Sequence, residues 1–523
     1  MAVCEGHLEV VIEVLKHDQV DVNVKVKNGK TSLALACIMG RPDIVRELLQ
    51  HKKLDVNARD EAGNTALHLA IIVDQANVVR ELLKHDQVDV NARDVANKKS
   101  INLAISAGHC GVVRELLKHS DVKIGCEALV LACTSGHLGI VRALLASDKV
   151  DVNGKDSAGC TALLVLSNRY RCSPYIIREL LQQHKVDVNA VTKGGETALI
   201  RATRTCCRPR SIGNLSEFIC ELLKHPEVDV NARDDNGRSA LSYYSRRKAA
   251  EVLVEFVKHD NLDINERFEN GETALIRACS SIDDVRELLK HKKLDVNTKD
   301  DHGCTAFLRA YRNRNTDVVR ELFKNHDVDV NAKTNSGDTA LLLGIHWYGR
   351  SVVQPPERVK IQTRDKQGRL SEQWILPASG GPSFQRELDT LWQLLSHQDA
   401  DVNAADDQGH AAFHWAIHDG CWDIVRSILT MDGVDVHFRD ALGNSPLIWA
   451  ILRGHLHVVR MLLRNKNVDV HVKNNADLTA LDIARNLGMI EITKCLEEHV
   501  KVSLCGVEST GKSKRKRGAS ESC

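Results

Sequence analysis

Aromatic side chains are scarce in this chain of 523 residues, at 4% of the total, and proline and methionine are scarcer still, with nine and five. Because 43% of the residues are nevertheless apolar, the interior must be built from Leu, Val, Ile and Ala. That composition favours stacked helices over one large mixed sheet. An excess of either charge is also missing: 71 Lys and Arg face 70 Asp and Glu, so any attraction to nucleic acid or membrane has to be local. No apolar run approaches the about eighteen residues that a membrane helix needs. Sixteen cysteines form no C-x-x-C pair, and MAVCEGHLEV lacks the character of a secretory signal. Free thiols in a reducing intracellular compartment are therefore expected, with neither metal nor cofactor. H-E-x-x-H, G-x-S-x-G and G-x-G-x-x-G are absent, and no catalytic residues are assigned.

What the chain does have is self-similarity. Asp-Val-Asn or a close variant begins at Asp21, Asp55, Asp89, Asp151, Asp187, Asp229, Asp263, Asp295, Asp329, Asp401, Asp435 and Asp469. A degenerate copy is read at Asp121, giving thirteen units after an incomplete first one. Each unit has the same local logic. In NARDEAGNTALHLA, turn formers surround Gly63, Thr65 is placed to cap a helix, and Leu67, Leu69 and Ala70 give that helix an apolar face. A second helix follows in NVVRELLKH, with Val78, Val79, Leu82 and Leu83 on one side and Arg80 and Glu81 on the other. Neither helix can bury its face alone, so the units must stack.

This pattern resembles the ankyrin repeat family over residues 1–500. The family's T-P-L-H-x-A is mostly T-A-L-x-x-A here, as at Thr197-Ala198-Leu199 and Thr273-Ala274-Leu275; Pro446 keeps the proline, and His68 and His414 keep the histidine. The resemblance implies an all-α helical solenoid with projecting β-turn fingers, whose concave groove engages protein partners. It implies a scaffold or adaptor rather than an enzyme.

Several features are weighed on that frame. Histidines recur after the second helix at His17, His51, His85, His119, His184, His225, His259 and His291. One repeat apart is roughly 10 Å for packed helices, too far to share a zinc ion, so they are taken as helix-end residues favoured by the helix dipole. Cys37, Cys133 and Cys279 read as small buried hydrophobes. Cys206 and Cys207 cluster in the insertion 204–211 beside Arg204, Arg208 and Arg210; they are either thiols with a lowered pKa or incidental loop residues. Four residues after the first-helix cap stand Arg201, Tyr243, Arg277 and Arg309, and three further on stand Arg204, Arg246, Ser280 and Arg312. Residues at that spacing share a face. They form either a basic stripe for a partner with acidic segments, or a face neutralised by Asp234, Asp235, Asp300 and Asp301. In other units the first position is Leu35, Leu69, Leu103 or Leu343, and it becomes Trp415 and Trp449 near the C-terminus. These groove residues are the candidate partner-binding set. A long insertion over 351–385 alternates apolar and polar residues about Asp365 to Gly368 and predicts a hairpin.

Gly506, Gly511, Lys512 and Ser513 in the tail 501–523 match G-x-x-x-x-G-K-[ST]. The stretch resembles the opening of a Roco-type small-GTPase domain, which supports the alternative of a truncated nucleotide-regulated protein. Ten residues remain after Ser513, too few for the helix that would hold phosphates, so no nucleotide binding is expected. The basic run 512–517 reads equally as a nuclear-import segment, and a cytoplasmic location is otherwise expected.

Overall fold

The computed structural model describes residues 1–501 except 18, 95, 169–172, 207–214, 245–249, 353–358, 365–369, 376–381, 432 and 466. The chain divides into two units, Met1–Asp263 and Ile264–Cys523. Each is a stack of antiparallel helix pairs.

The local chemistry explains each pair. Thr65 accepts a hydrogen bond from the His68 N–H and starts the first helix, Ala66–Ile72. In the second unit Thr305 does the same for Ala306–Arg312, and Asn315 caps the second helix Thr316–Phe323. Each cap satisfies a backbone donor that would otherwise be free, an effect of about 1 kcal/mol. Of the apolar positions read from the sequence, Leu67, Val78, Val79 and Leu82 are at most 2% exposed, and Leu83 is half-buried. First helices pack on first helices of the next repeat, as Ser32–Ile38 does on Ala66–Ile72. Cys37, Cys133 and Cys279 are buried, as small hydrophobes are.

The Asp-Val-Asn motif is the clamp between repeats. The Asn57 side chain donates to the Gln87 carbonyl at 2.7 Å and accepts from the Asp89 N–H at 2.9 Å. In the second unit Asn297 bridges Asp327 and Asp329 in the same way, at 2.6 and 2.8 Å. Asn331 does so across the long insertion, reaching the Asp399 carbonyl and the Asp401 N–H. The repeat frame therefore passes beneath that insertion without a break in register.

Three expectations are corrected. The degenerate copy is Lys123-Ile124-Gly125, not a motif at Asp121, because Asn91 bridges the Asp121 carbonyl and the Lys123 N–H, the places held by Gln87 and Asp89 one repeat earlier. Glu81 does not face solvent beside Arg80; it is 8% exposed, and its carboxylate lies between Arg46 and Lys84. The helix-end histidines act through an acceptor nitrogen: Nδ1 of His85 accepts the Gln87 N–H, and that of His225 accepts the Glu227 N–H, both at 3.3 Å. These bonds close the turn after the second helix.

The insertions grow out of helices. Ala198–Cys206 runs into the short one, so Arg204 and Cys206 are helical while Cys207 lies outside the described residues. Ala340–Val352 and Pro382–Leu395 flank the long one, within which Val359–Arg364 pairs antiparallel with Leu370–Ile375 as the alternation predicts. Apart from this hairpin and single-residue bridges at the fingers, the described residues contain no strand. The fold is all-α.

Candidate functional site

Each finger is a tight turn built on an aspartate or its equivalent. Asp440 Oδ1 accepts the N–H groups of Leu442 and Asn444, and Gly443 takes the positive φ of 78° that the turn requires. The second carboxylate oxygen points at the first helix. There it accepts the indole N–H of Trp449, nine residues on, at 2.9 Å.

That relation recurs at the same first-helix position in both units. In the first unit the Tyr243 hydroxyl donates to Asp234 at 2.7 Å. In the second, Arg309 donates to Asp300, and the Trp415 indole donates to Asp406 at 3.0 Å. Arg277 lies over the ring of Phe268, again nine residues earlier, at 4.5 Å from its centroid. Arg201 has Thr192 at that place; its Nη1 donates to Cys160 Sγ at 3.6 Å, and its buried Nε has no partner among the described residues. Tyr243, Arg277, Arg309, Trp415 and Trp449 are thus held against their own fingers, and Arg201 is not.

The electrostatics differ from a bare basic stripe. Arg204 forms a two-pronged pair with Glu196, at 2.5 and 3.1 Å. Glu272 accepts from both Arg277 and Arg309, at 3.2 and 3.3 Å, and Asp300 takes Arg309 as well. Burial opposes ionisation of Arg309, but the hydrogen bond and charge of Asp300 outweigh it and its pKa is raised. Arg201 and Arg312 have no ion pair among the described residues, and Arg312 is exposed. Arg246, together with Gly506, Gly511, Lys512 and Ser513, lies outside the described residues.

Around the tryptophans the second unit builds an aromatic shelf. His410 lies edge-on to both Trp415 and Trp449, with centroids 5.3 and 5.5 Å away, and His418 contacts the same two rings at 5.2 and 5.6 Å. His418 Nδ1 is held by Asp419 at 2.6 Å, and His346 stacks edge-on to Trp415 at 4.9 Å. Beneath the shelf His414 is buried, and burial drives its pKa down to about 4, so it stands neutral. Composition hid this shelf, because a chain with few rings places two indoles and several imidazoles within a short span. The nine-residue offset between a finger aspartate and a ring with an N–H was the available signal.

Among the described residues no group of three His, Cys, Asp or Glu side chains is arranged to hold a metal ion, and no helix is long and apolar enough to cross a membrane.

Matches to known proteins include a family model and a solved structure. A family model described as ankyrin repeats (3 copies) matches residues 1–94, 101–172, 206–300 and 413–504. The crystal structure of the ankyrin repeat domain of Bcl-3, a member of the IkappaB protein family, aligns at 21% identity with a TM-score of 0.31, over 48% of this chain and 95% of that one. No curated protein sequence matches.

Proposed function

Because this chain belongs to the ankyrin repeat family, whose repeats are protein-interaction modules, we propose that it is a scaffold or adaptor that seats a protein partner on the face made by first helices and fingers. One observation carries the reading: the side chains on that face are pinned to the fingers nine residues before them. A partner then loses less rotamer entropy on binding than it would against free side chains.

The pairing of Arg204, Arg277 and Arg309 within the chain moves the expected recognition from charge to stacking. Trp415 and Trp449, framed by His410 and His418, offer flat rings for an aromatic or guanidinium-bearing side chain of the partner. Arg201 and Arg312 are the cations left for acidic residues. The reading assigns no catalysis, and it leaves the phosphate-loop pattern at Gly506 to Ser513 without a role. Location in the cytoplasm, with import through 512–517, accompanies it.

The test is affinity capture with the full chain and with Trp415→Ala/Trp449→Ala, each checked for unchanged helix content by circular dichroism. A partner captured by the parent chain should be lost from the variant and retained as salt rises from about 50 to about 300 mM. Retention by the variant, or loss with salt alone, contradicts the reading.

A further inference from the structure

The outer helices repeat one ion-pair device. Arg46 reaches Glu81 one repeat on at 3.2 Å, and Lys84 binds the same carboxylate at 2.9 Å. Arg80, Glu115 and Lys118 repeat it at 2.9 Å each, and in the second unit Arg286 and Lys324 share Glu321 at 3.2 and 2.9 Å. In every case the glutamate directly follows the arginine of its own helix, and the lysine lies one turn below it.

Two outer helices keep the arginine and lose the acceptor, and after the first of them Thr430 stands in place of the lysine. In Trp422–Ile428 and Leu456–Arg464 the arginines persist as Arg426 and Arg460, and Arg464 takes the place of the lysine. The glutamate position is Ser427 in one and Met461 in the other, and in the helix over 490–501 it is Cys495. Among the described residues Arg426, Arg460 and Arg464 form no ion pair, and all three are exposed. Arg114 also faces a non-acidic residue, Ala143, but it stands alone.

The three arginines share a groove of about 1130 Å³, together with the apolar side chains of Leu429 and Met461. A groove at the same place in the first unit, between Leu215–Leu223 and Ala250–Val257, is lined by Glu217, Glu221, Glu251 and Glu255 against only Arg178 and Lys224. The sign of the outer face is reversed where the glutamates are missing.

We propose that this outer groove is a second protein-binding site, which takes an amphipathic acidic helix of a partner, carboxylates on Arg426, Arg460 and Arg464 and apolar side chains on Leu429 and Met461. The array itself shows what satisfies these arginines elsewhere: a neighbouring helix that presents glutamate. Arg460 and Arg464 are one turn apart on one helix face, the spacing that carboxylates one turn apart on a bound helix can match. The apolar floor favours a peptide over nucleic acid, which binds mainly through phosphate charge. The site does not depend on the first-helix face.

The experiment uses the full chain and a fluorescein-labelled helical peptide of about sixteen residues, with Glu at i and i+4 and Leu at i+3 and i+7, read by anisotropy. Binding is expected to weaken about tenfold between about 50 and about 300 mM salt. Arg426→Glu/Arg460→Glu/Arg464→Glu should weaken it at least about tenfold, and a peptide with Lys in place of Glu should recover binding to that variant. Met461→Glu, which supplies the missing acceptor within the array, should also weaken the acidic peptide while leaving helix content unchanged. Trp415→Ala/Trp449→Ala should leave it unaltered, which separates this site from the first-helix face. Absence of binding to the parent chain, or equal binding by the triple variant, overturns the proposal. An RNA oligonucleotide binding more tightly than the peptide through the same arginines would overturn the protein partner. Self-association of the chain that the triple variant abolishes would overturn it in favour of a second copy.

Discussion

At the scale of single residues, the finger aspartates each do two jobs with one carboxylate. Asp440 closes its turn with one oxygen and holds the Trp449 indole with the other. Burial raises its pKa, but the hydrogen bonds from Asn444, Trp449 and Leu442 outweigh that and keep it below the ordinary value. Asp440→Ala should therefore cost about 1–3 kcal/mol, since buried donors lose their acceptor; a urea midpoint unchanged from the parent would contradict the pinning. His414 makes a pH-dependent prediction with the opposite partner logic. Its ordinary value is 6.5 and its folded value about 4, because burial excludes the charged form. An unfolded chain takes up the proton below about pH 6.5 that the folded chain refuses until about pH 4, so stability falls as pH falls through that window. The loss at pH 5 is about 2 kcal/mol. Urea midpoints at pH 7 and pH 5 should differ less for His414→Gln than for the parent, and an equal difference would remove His414 as the cause.

At the scale of elements, stacking is directed by asparagine as much as by the apolar core. Asn57→Ala leaves the Gln87 carbonyl and the Asp89 N–H without their bridge, a cost of about 1–2 kcal/mol. The device stops near the end of the array, where His437 and His471 replace the asparagine. His437→Asn should restore one bridge and raise the urea midpoint, while a lower midpoint would show that the histidine has a role of its own there. The helix pairs, their caps and the hairpin could be read in advance, because periodicity, Thr and Ser caps and alternation are local signals. The bridges could not, since a motif such as Asp-Val-Asn marks a period without saying what its amide touches about thirty residues on. The same limit hid Glu81, which looks exposed on a helical wheel but is buried, its carboxylate held by Arg46 of the preceding repeat and by Lys84. The surviving Asp-Val pair at Asp121 lies two residues before the true degenerate copy, whose register is imposed by Asn91 and not by the motif.

At the scale of the molecule, composition pointed away from charge-driven binding, and the pairing of Arg204, Arg277 and Arg309 with Glu196, Glu272 and Asp300 repeats that neutrality locally. The groove residues could be listed from alignment of the repeats, but whether they formed a free basic stripe was decided by Asp300, which the alignment named, and by Glu196 and Glu272, which it did not. The account's central claim is that first helices and fingers form the face that a protein partner occupies. Photocrosslinking tests it most directly, with a benzoylphenylalanine placed in turn at Trp415, at Tyr243 and, as a control on the outer ladder, at Arg286. The account predicts the same discrete protein adduct from position 415 or 243 and none from 286. An adduct from 286 alone, with 415 and 243 silent, would contradict it.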